Sequence, residues 1–284
     1  MSDPVTSISA LRELLSPVRR AGQTIGLVPT MGALHLGHVR LLERARRETA
    51  TVVASIFVNP TQFDRQDDLT LYPRSPQADL ELCREAGVDI VFAPSAQEMY
   101  PQSQLTWIET PALTQHLCGP GRPGHFRGVA TVVMKLLQIV QPDRAYFGEK
   151  DAQQLAVIER MVRDLNVPVT IVPVATVRES DGLAMSSRNQ HLSPSERQFA
   201  TSLSRALFAA RDMVQNGESS PAAIESTGAS LLSGLRVEYF SVVNPETLQP
   251  IARIAGPVLI AGAIWLGSTR LIDNLTVSPP SSST

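Results

Sequence analysis

The chain has 284 residues, room for one large or two medium domains, and its 43% hydrophobic and 18% charged content suits a packed core rather than a disordered chain. A net charge of −2 leaves no cationic surplus for a phosphodiester backbone, and the longest apolar run, around 258–266, falls short of a membrane span, so neither nucleic acid nor a membrane is an expected partner. Cys83 and Cys118 have no metal-type spacing and do not support a disulfide framework, and residues 1–10 lack a cationic start followed by an apolar run, so a cytoplasmic location without a signal peptide is expected.

The pattern predicts an apolar strand over 24–28, a Gly-containing turn, and a helix over 38–47. That helix would carry Leu41, Leu42 and Ala45 on one side and Arg40, Glu43, Arg44 and Arg47 on the other. Residues 51–58 are mostly apolar and rich in β-branched side chains, the mark of a strand buried on both faces. A helix over 77–86, with Cys83 on its core side, stops at Gly87, and 88–92 reads as another buried strand. Cys118 is expected in a loop. A helix over 129–140 ends at Gln141-Pro142, followed by a strand at 145–147, a helix over 151–165 and a strand at 169–174. This alternation implies an α/β fold, a Rossmann-like parallel sheet with helices on both faces and ligands at the carboxyl ends of the strands, where strand order reverses.

Beyond residue 177 the pattern changes. A polar loop over 178–192 leads to Ser193-Pro194-Ser195-Glu196, a capping box opening one helix that runs to about 215 and stops at Asn216-Gly217. Another helix starts at Pro221, and strands are expected at 236–243, 257–266 and 270–272. The expected organisation is therefore a domain over 1–177 and a smaller α+β C-terminal domain over 178–284, with a Pro/Ser-rich tail at 278–284 that frays.

Five segments carry chemistry. In Pro29-Thr30-Met31-Gly32-Ala33-Leu34-His35-Leu36-Gly37-His38, a strand runs into a helix N-terminus, where unpaired amides and a partial positive charge suit phosphate. Gly32 and Gly37 would admit close approach of a ligand, and His35 and His38, three apart, project from one side. Two imidazoles there can bind phosphate oxygens and stabilise developing charge; packing histidines or a zinc pair are the other readings, and no third zinc ligand stands near. Gln62, in Ser55-Ile56-Phe57-Val58-Asn59-Pro60-Thr61-Gln62-Phe63, lies just past a strand end and can orient a carboxylate without a full ion pair. Arg122-Pro123-Gly124-His125-Phe126-Arg127-Gly128 is a basic loop able to close over an anion, or an ordinary surface loop. Gly148-Glu149-Lys150-Asp151 sits between a strand and a helix, with Lys150 a compact cation for triphosphate and Gln154 one turn beyond it. Finally, Val177 precedes a loop with Met185-Ser186-Ser187-Arg188, whose hydroxyls, amides and guanidinium can hold phosphate.

His35-Leu36-Gly37-His38 resembles the His-x-Gly-His signature of the nucleotidylyl-transferring superfamily that includes class I aminoacyl-tRNA synthetases, and the block around it is similar to that of the pantothenate synthetase (pantoate–β-alanine ligase) family. The resemblance spans about 24–195, takes in Tyr72-Pro73-Arg74, and resumes at Ala263-Ile264-Trp265-Leu266-Gly267 and Arg270-Leu271-Ile272-Asp273-Asn274. It implies ATP-dependent joining of (R)-pantoate to β-alanine through pantoyl adenylate. It implies ATP contacts at Met31, Gly32, Ala33, Leu34, His35, Leu36, Gly37, His38, Gly148, Glu149, Lys150, Asp151, Val177, Met185, Ser186, Ser187 and Arg188. It further implies pantoate contacts at Gln62 and Gln154, a β-alanine contact at Gln62, and catalytic roles for His38, His35 and Lys150. Met-Ser-Ser-Arg resembles a mobile Lys-Met-Ser-Lys-Ser loop. Magnesium is expected with ATP, its protein ligands unassigned and Asp79 a candidate; a homodimer is expected from the family. The competing readings are another nucleotidylyltransferase of the superfamily, which keeps the nucleotide on its product, and a non-catalytic nucleotide-binding protein.

Overall fold

The computed structural model describes residues 3–280, so the last residues of the expected frayed tail lie outside the described residues. The chain divides into two compact units. One holds the residues up to Thr110, with Arg122–Glu149 and Val157–Ala175; the other holds Pro111–Gly121, Lys150–Ala156 and the residues from Thr176 onward.

The first unit is built on five parallel strands: β1 (Ile25–Thr30), β2 (Thr51–Ile56), β3 (Ile90–Phe92), β4 (Arg144–Gly148) and β5 (Thr170–Val174), in the order β3-β2-β1-β4-β5. Strand order reverses between β1 and β4, which makes their carboxyl ends the expected ligand crevice. Helix α1 (Ile8–Arg20), absent from the sequence reading, is capped by Ser7 and buries Leu11 and Leu15 despite an internal Pro17. Helix α2 (Leu36–Glu48) follows β1 and buries Leu41, Leu42 and Ala45, the stripe its spacing predicts, against Val28, Val52, Ala54 and Tyr146. Helix α3 (Pro76–Glu85) adds Cys83 to the same core. Helix α4 (His125–Val140) starts four residues earlier than expected, so His125 to Gly128 form its first turn rather than a loop. It is apolar nearly all round because it is buried.

Cys83 is fully buried, and burial, assisted by the nearby Asp79 charge, pushes its thiol up to about 11. Thiolate is the reacting form, so the native chain held at pH 8 with iodoacetamide should leave Cys83 unmodified by peptide mass spectrometry, and urea should expose it.

Helix α5 (Ala152–Asp164) follows β4. The second unit then packs α6 (Pro194–Ala200), α7 (Ser202–Gln215) and α8 (Pro221–Leu231) with an antiparallel sheet of β6 (Arg236–Val243), β7 (Val258–Leu266) and β8 (Thr269–Val277). The expected single helix from 194 to about 215 is two, parted at Thr201. β8 runs five residues beyond the expected 272, because it pairs with β7 along its whole length. Phe240 lies against Gly228 of α8, where a β-carbon would come within 2.2 Å of its ring. Cys118 is not in a loop: it starts a short helix, Cys118–Gly121, and its thiol lies buried 3.1 Å from Tyr239 Oη. Among the described residues no helix is long and apolar enough to cross a membrane.

Candidate active site

At the reversal of strand order, Thr30 Oγ1 donates to the Ser55 carbonyl at 2.7 Å and accepts from Gly32 N at 3.2 Å, tying the ends of β1 and β2. Gly32 (φ +80°) and Ala33 (φ +50°) then take two successive left-handed steps. His35 is the N-cap of α2 and His38 its third residue. His38 Nδ1 accepts the His35 N–H at 3.2 Å, and His35 Nδ1 accepts the Gly37 N–H at 3.1 Å. The two ring centroids are 4.2 Å apart. A ring nitrogen that accepts carries no proton, so each neutral imidazole has its proton on Nε2. The backbone thus fixes both neutral rings in the tautomer whose N–H donor is on Nε2, a donor suited to phosphate oxygens.

Two sequence expectations change here. The amides were expected to be unpaired, yet Gly32 N is taken by Thr30, Ala33 N and Leu34 N by Asp79, His35 N by His38, and Gly37 N by His35. The glycines were expected to open the backbone to a ligand. The space they leave is filled instead by the protein: a β-carbon on Gly32 would lie 2.9 Å from Asp79 Oδ2, and one on Gly37 2.8 Å from the His35 ring.

Gln62 is buried just past β2 and held on three sides. Asn59 Nδ2 donates to its side-chain oxygen at 3.0 Å, its Nε2 donates to Met31 Sδ at 3.0 Å, and His125 Nδ1 donates to its carbonyl at 2.7 Å. Met31 and Gln62, thirty-one residues apart, are thereby brought together. Arg122 Nη1 donates to His125 Nε2 at 3.0 Å, while its Nε reaches Asp64 at 3.0 Å. A guanidinium only donates, so His125 is neutral with its proton on Nδ1. Asn59 Oδ1 accepts from Tyr100 Oη at 2.8 Å and Thr61 Oγ1 at 3.0 Å. Burial raises the Tyr100 phenol pKa against a smaller opposing pull from Thr61, so it remains a donor. Asn59 and His125 stand in the sequence segments without roles. An Asn before Pro signals a local turn cap, but its reach to Gln62 and Tyr100 needs the fold.

Gly148 ends β4 beside β1, and Glu149 opens the turn Glu149–Asp151.

The second unit holds the remaining candidates. Lys150 Nζ lies 3.5 Å from Asp151, and the Lys150 carbonyl accepts from Asn274 Nδ2 at 2.8 Å. The adjacent glutamines of α5 divide their work. Gln153 is buried and fully used, donating to the carbonyls of Leu113 and His116 at 2.9 Å each and accepting from Cys118 N at 2.8 Å. Gln154 is half-buried and has no hydrogen-bond partner among the described residues. The Val177 carbonyl accepts from Met185 N at 2.9 Å, and Ser186 Oγ accepts from Arg188 N at 3.2 Å, capping the short helix Ser187–His191 inside the expected loop. Arg178 forks onto the buried Asp273 carboxylate at 2.6 and 2.9 Å. The 270–274 block, matched in sequence without a role, therefore anchors the backbone at Lys150 and the root of the 185–188 loop.

Among the described residues no cluster of three or more His, Cys, Asp or Glu could hold a metal ion. Asp79 does not fit as a magnesium ligand in this arrangement, since each of its buried oxygens accepts a backbone amide.

The family model described as pantoate-beta-alanine ligase matches residues 3–276. A pantothenate synthetase of Moorella thermoacetica is 50% identical over 274 residues, covering 95% of this chain and 97% of that protein. The crystal structure of pantothenate synthetase from Thermus thermophilus superposes with a TM-score of 0.91 at 48% identity, covering 96% of this chain and 99% of the other. A pantoate-beta-alanine ligase from Francisella tularensis, solved in complex with beta-gamma ATP and beta-alanine, gives 0.79 at 34% identity over 95% and 96% of the two chains. With the family model matched over residues 3–276 and relatives about half identical over nearly the whole length, the chain belongs to the pantoate–β-alanine ligase family.

Proposed function

We propose that this chain condenses (R)-pantoate with β-alanine, consuming ATP and releasing AMP and diphosphate by way of pantoyl adenylate. The observation that carries the reading is the reciprocal cap that holds two imidazoles as Nε2–H donors where strand order reverses. A pantoate carboxylate oxygen attacks the α-phosphorus, the bond to the β-phosphate oxygen breaks, and diphosphate leaves. The β-alanine amine then attacks the acyl carbon, AMP departs with the carboxylate's former oxygen, and the amine loses a proton. Negative charge grows on phosphate oxygens in the first step, and His38 serves there as proton donor or charge stabiliser, assisted by His35 and Lys150. The 31–38 block, residues 148–151, Val177 and residues 185–188 take ATP, Gln62 and Gln154 take pantoate, and Gln62 also meets β-alanine. ATP enters as its magnesium complex, with the ion held through phosphate oxygens and water. Residues 1–177 supply the nucleotide and pantoate site and 178–284 a lid carrying Arg188; a homodimer in the cytoplasm completes the reading.

His125→Phe keeps the aromatic body but removes the donor to the Gln62 carbonyl. The KM for pantoate should rise about tenfold, the worth of one buried hydrogen bond, with KM for ATP little changed. Equal shifts in both would detach His125 from Gln62.

The reading itself is tested by incubating the chain with ATP, magnesium and pantoate, with and without β-alanine. About one equivalent of pyrophosphate per site is expected without the amine, and continuous AMP and pantothenate release with it. ATP binding with no pyrophosphate in either tube would overturn it.

A further inference from the structure

We propose that Asp79 is a positioning residue for the adenylation step, clamping the left-handed turn that sets the two histidines. It sits in the first turn of α3, forty-five residues beyond the turn it holds, and is 2% exposed. Oδ2 accepts Ala33 N at 3.0 Å and Oδ1 accepts Leu34 N at 2.7 Å. Both oxygens are thus committed to backbone, and the Gly32 side of the turn is closed by the same carboxylate.

The turn needs holding. Ala33 at φ +50° is a β-carbon residue in left-handed backbone, which persists only where its surroundings over-determine it. One residue past Leu34 comes His35, whose N–H and Nδ1 make the cap shared with His38 and Gly37. If Ala33 relaxed to right-handed or extended backbone, the peptide entering His35 would rotate, and both imidazoles would lose their phase relative to α2. A carboxylate suits the task because it offers two acceptors and no donor. An amide of the same size would set its NH2 group against one of the two N–H groups. Among the described residues the hydrogen-bond partners of this buried carboxyl group are the two backbone amides, whose dipoles point at its oxygens.

The inference deepens the ligase reading and rests on it for the activity arm alone. In the wild-type chain, amide hydrogen exchange at Ala33 and Leu34 should be as slow as in the strands; rapid exchange there overturns the clamp without any variant. In Asp79→Asn those two amides should exchange at least about tenfold faster while strand amides keep their rates. The same variant should lose about 100-fold in kcat for pyrophosphate release with a much smaller change in KM for ATP, the signature of misplaced rather than missing groups. Adding Ala33→Gly, which removes the left-handed penalty, should restore about tenfold of that loss, whereas excess magnesium should restore none. Recovery by magnesium and not by Ala33→Gly would make Asp79 a metal ligand and overturn the proposal. If the wild type itself releases no pyrophosphate, the ligase reading fails, and the exchange rates still decide the clamp.

Discussion

Replacing His38 with alanine should lower pyrophosphate release from ATP and pantoate by about 10³-fold, the upper end of the cost of removing one preorganised donor to developing negative charge. Two losses are combined in that variant: the Nε2–H donor, and the Nδ1 acceptor of the His35 N–H. They can be separated. Asn at position 38 places an oxygen near the former Nδ1 and keeps the cap, but has nothing at Nε2. It should therefore melt like the wild type and be as inactive as His38→Ala. His38→Ala should also lose about 1 kcal/mol of stability with the cap. ATP affinity, read by calorimetry, should change far less than turnover, because the interaction strengthens as charge develops. Turnover within about threefold of wild type in the alanine variant would remove His38 from the chemistry.

Gly128→Ala should be the most damaging single-methyl change near the Gln62 turn. The α4 backbone at Gly128 lies directly against that turn, and an added β-carbon would fall 2.3 Å from the Thr61 carbonyl oxygen and 2.7 Å from Gln62 Cα. These are backbone atoms at the end of a short loop pinned by Asn59, which also donates to the Gly128 carbonyl at 3.2 Å, so neither side can yield by a rotamer change. An exposed helical Gly→Ala change gains about 0.5–1 kcal/mol, so the sign itself is diagnostic. Here overpacking should dominate, with a loss of about 2–3 kcal/mol in urea unfolding. The folded remainder should show a raised KM for pantoate, since Gln62 moves with its turn. A variant as stable as the wild type would mean that α4 and the turn are less tightly seated than the distances state.

The parallel sheet, its order of strands and helices, and the stop and cap positions at Gly87, Ser193 and Pro194 could all be read along the chain, because they rest on local periodicity and turn chemistry. The 35–38 pair, Gln62, Lys150 and the 185–188 loop could be singled out in sequence because they stand as short polar motifs next to predicted strands and helices. Helix α1 escapes the sequence reading because Pro17 interrupts its pattern, although its first-turn cap and two buried leucines are enough once it packs. The split at Thr201 and the full length of β8 are also hidden, as each is settled by packing and strand pairing rather than by local signals.

What the residues determined unaided, then, was the set of chemical groups and the local elements that carry them. What only the tertiary structure decided was which groups meet. Asp79 looks like a candidate metal ligand until both its oxygens are found on the amides of Ala33 and Leu34. Gln153 and Gln154 are indistinguishable as neighbours in sequence, yet one is consumed by three hydrogen bonds in the core and the other is half-buried with no hydrogen-bond partner among the described residues. The tautomers of His35, His38 and His125 follow from their partners alone. The physical reason is common to all of them. A buried polar atom must find a partner, and that partner is chosen by proximity in space, which no spacing along the chain encodes.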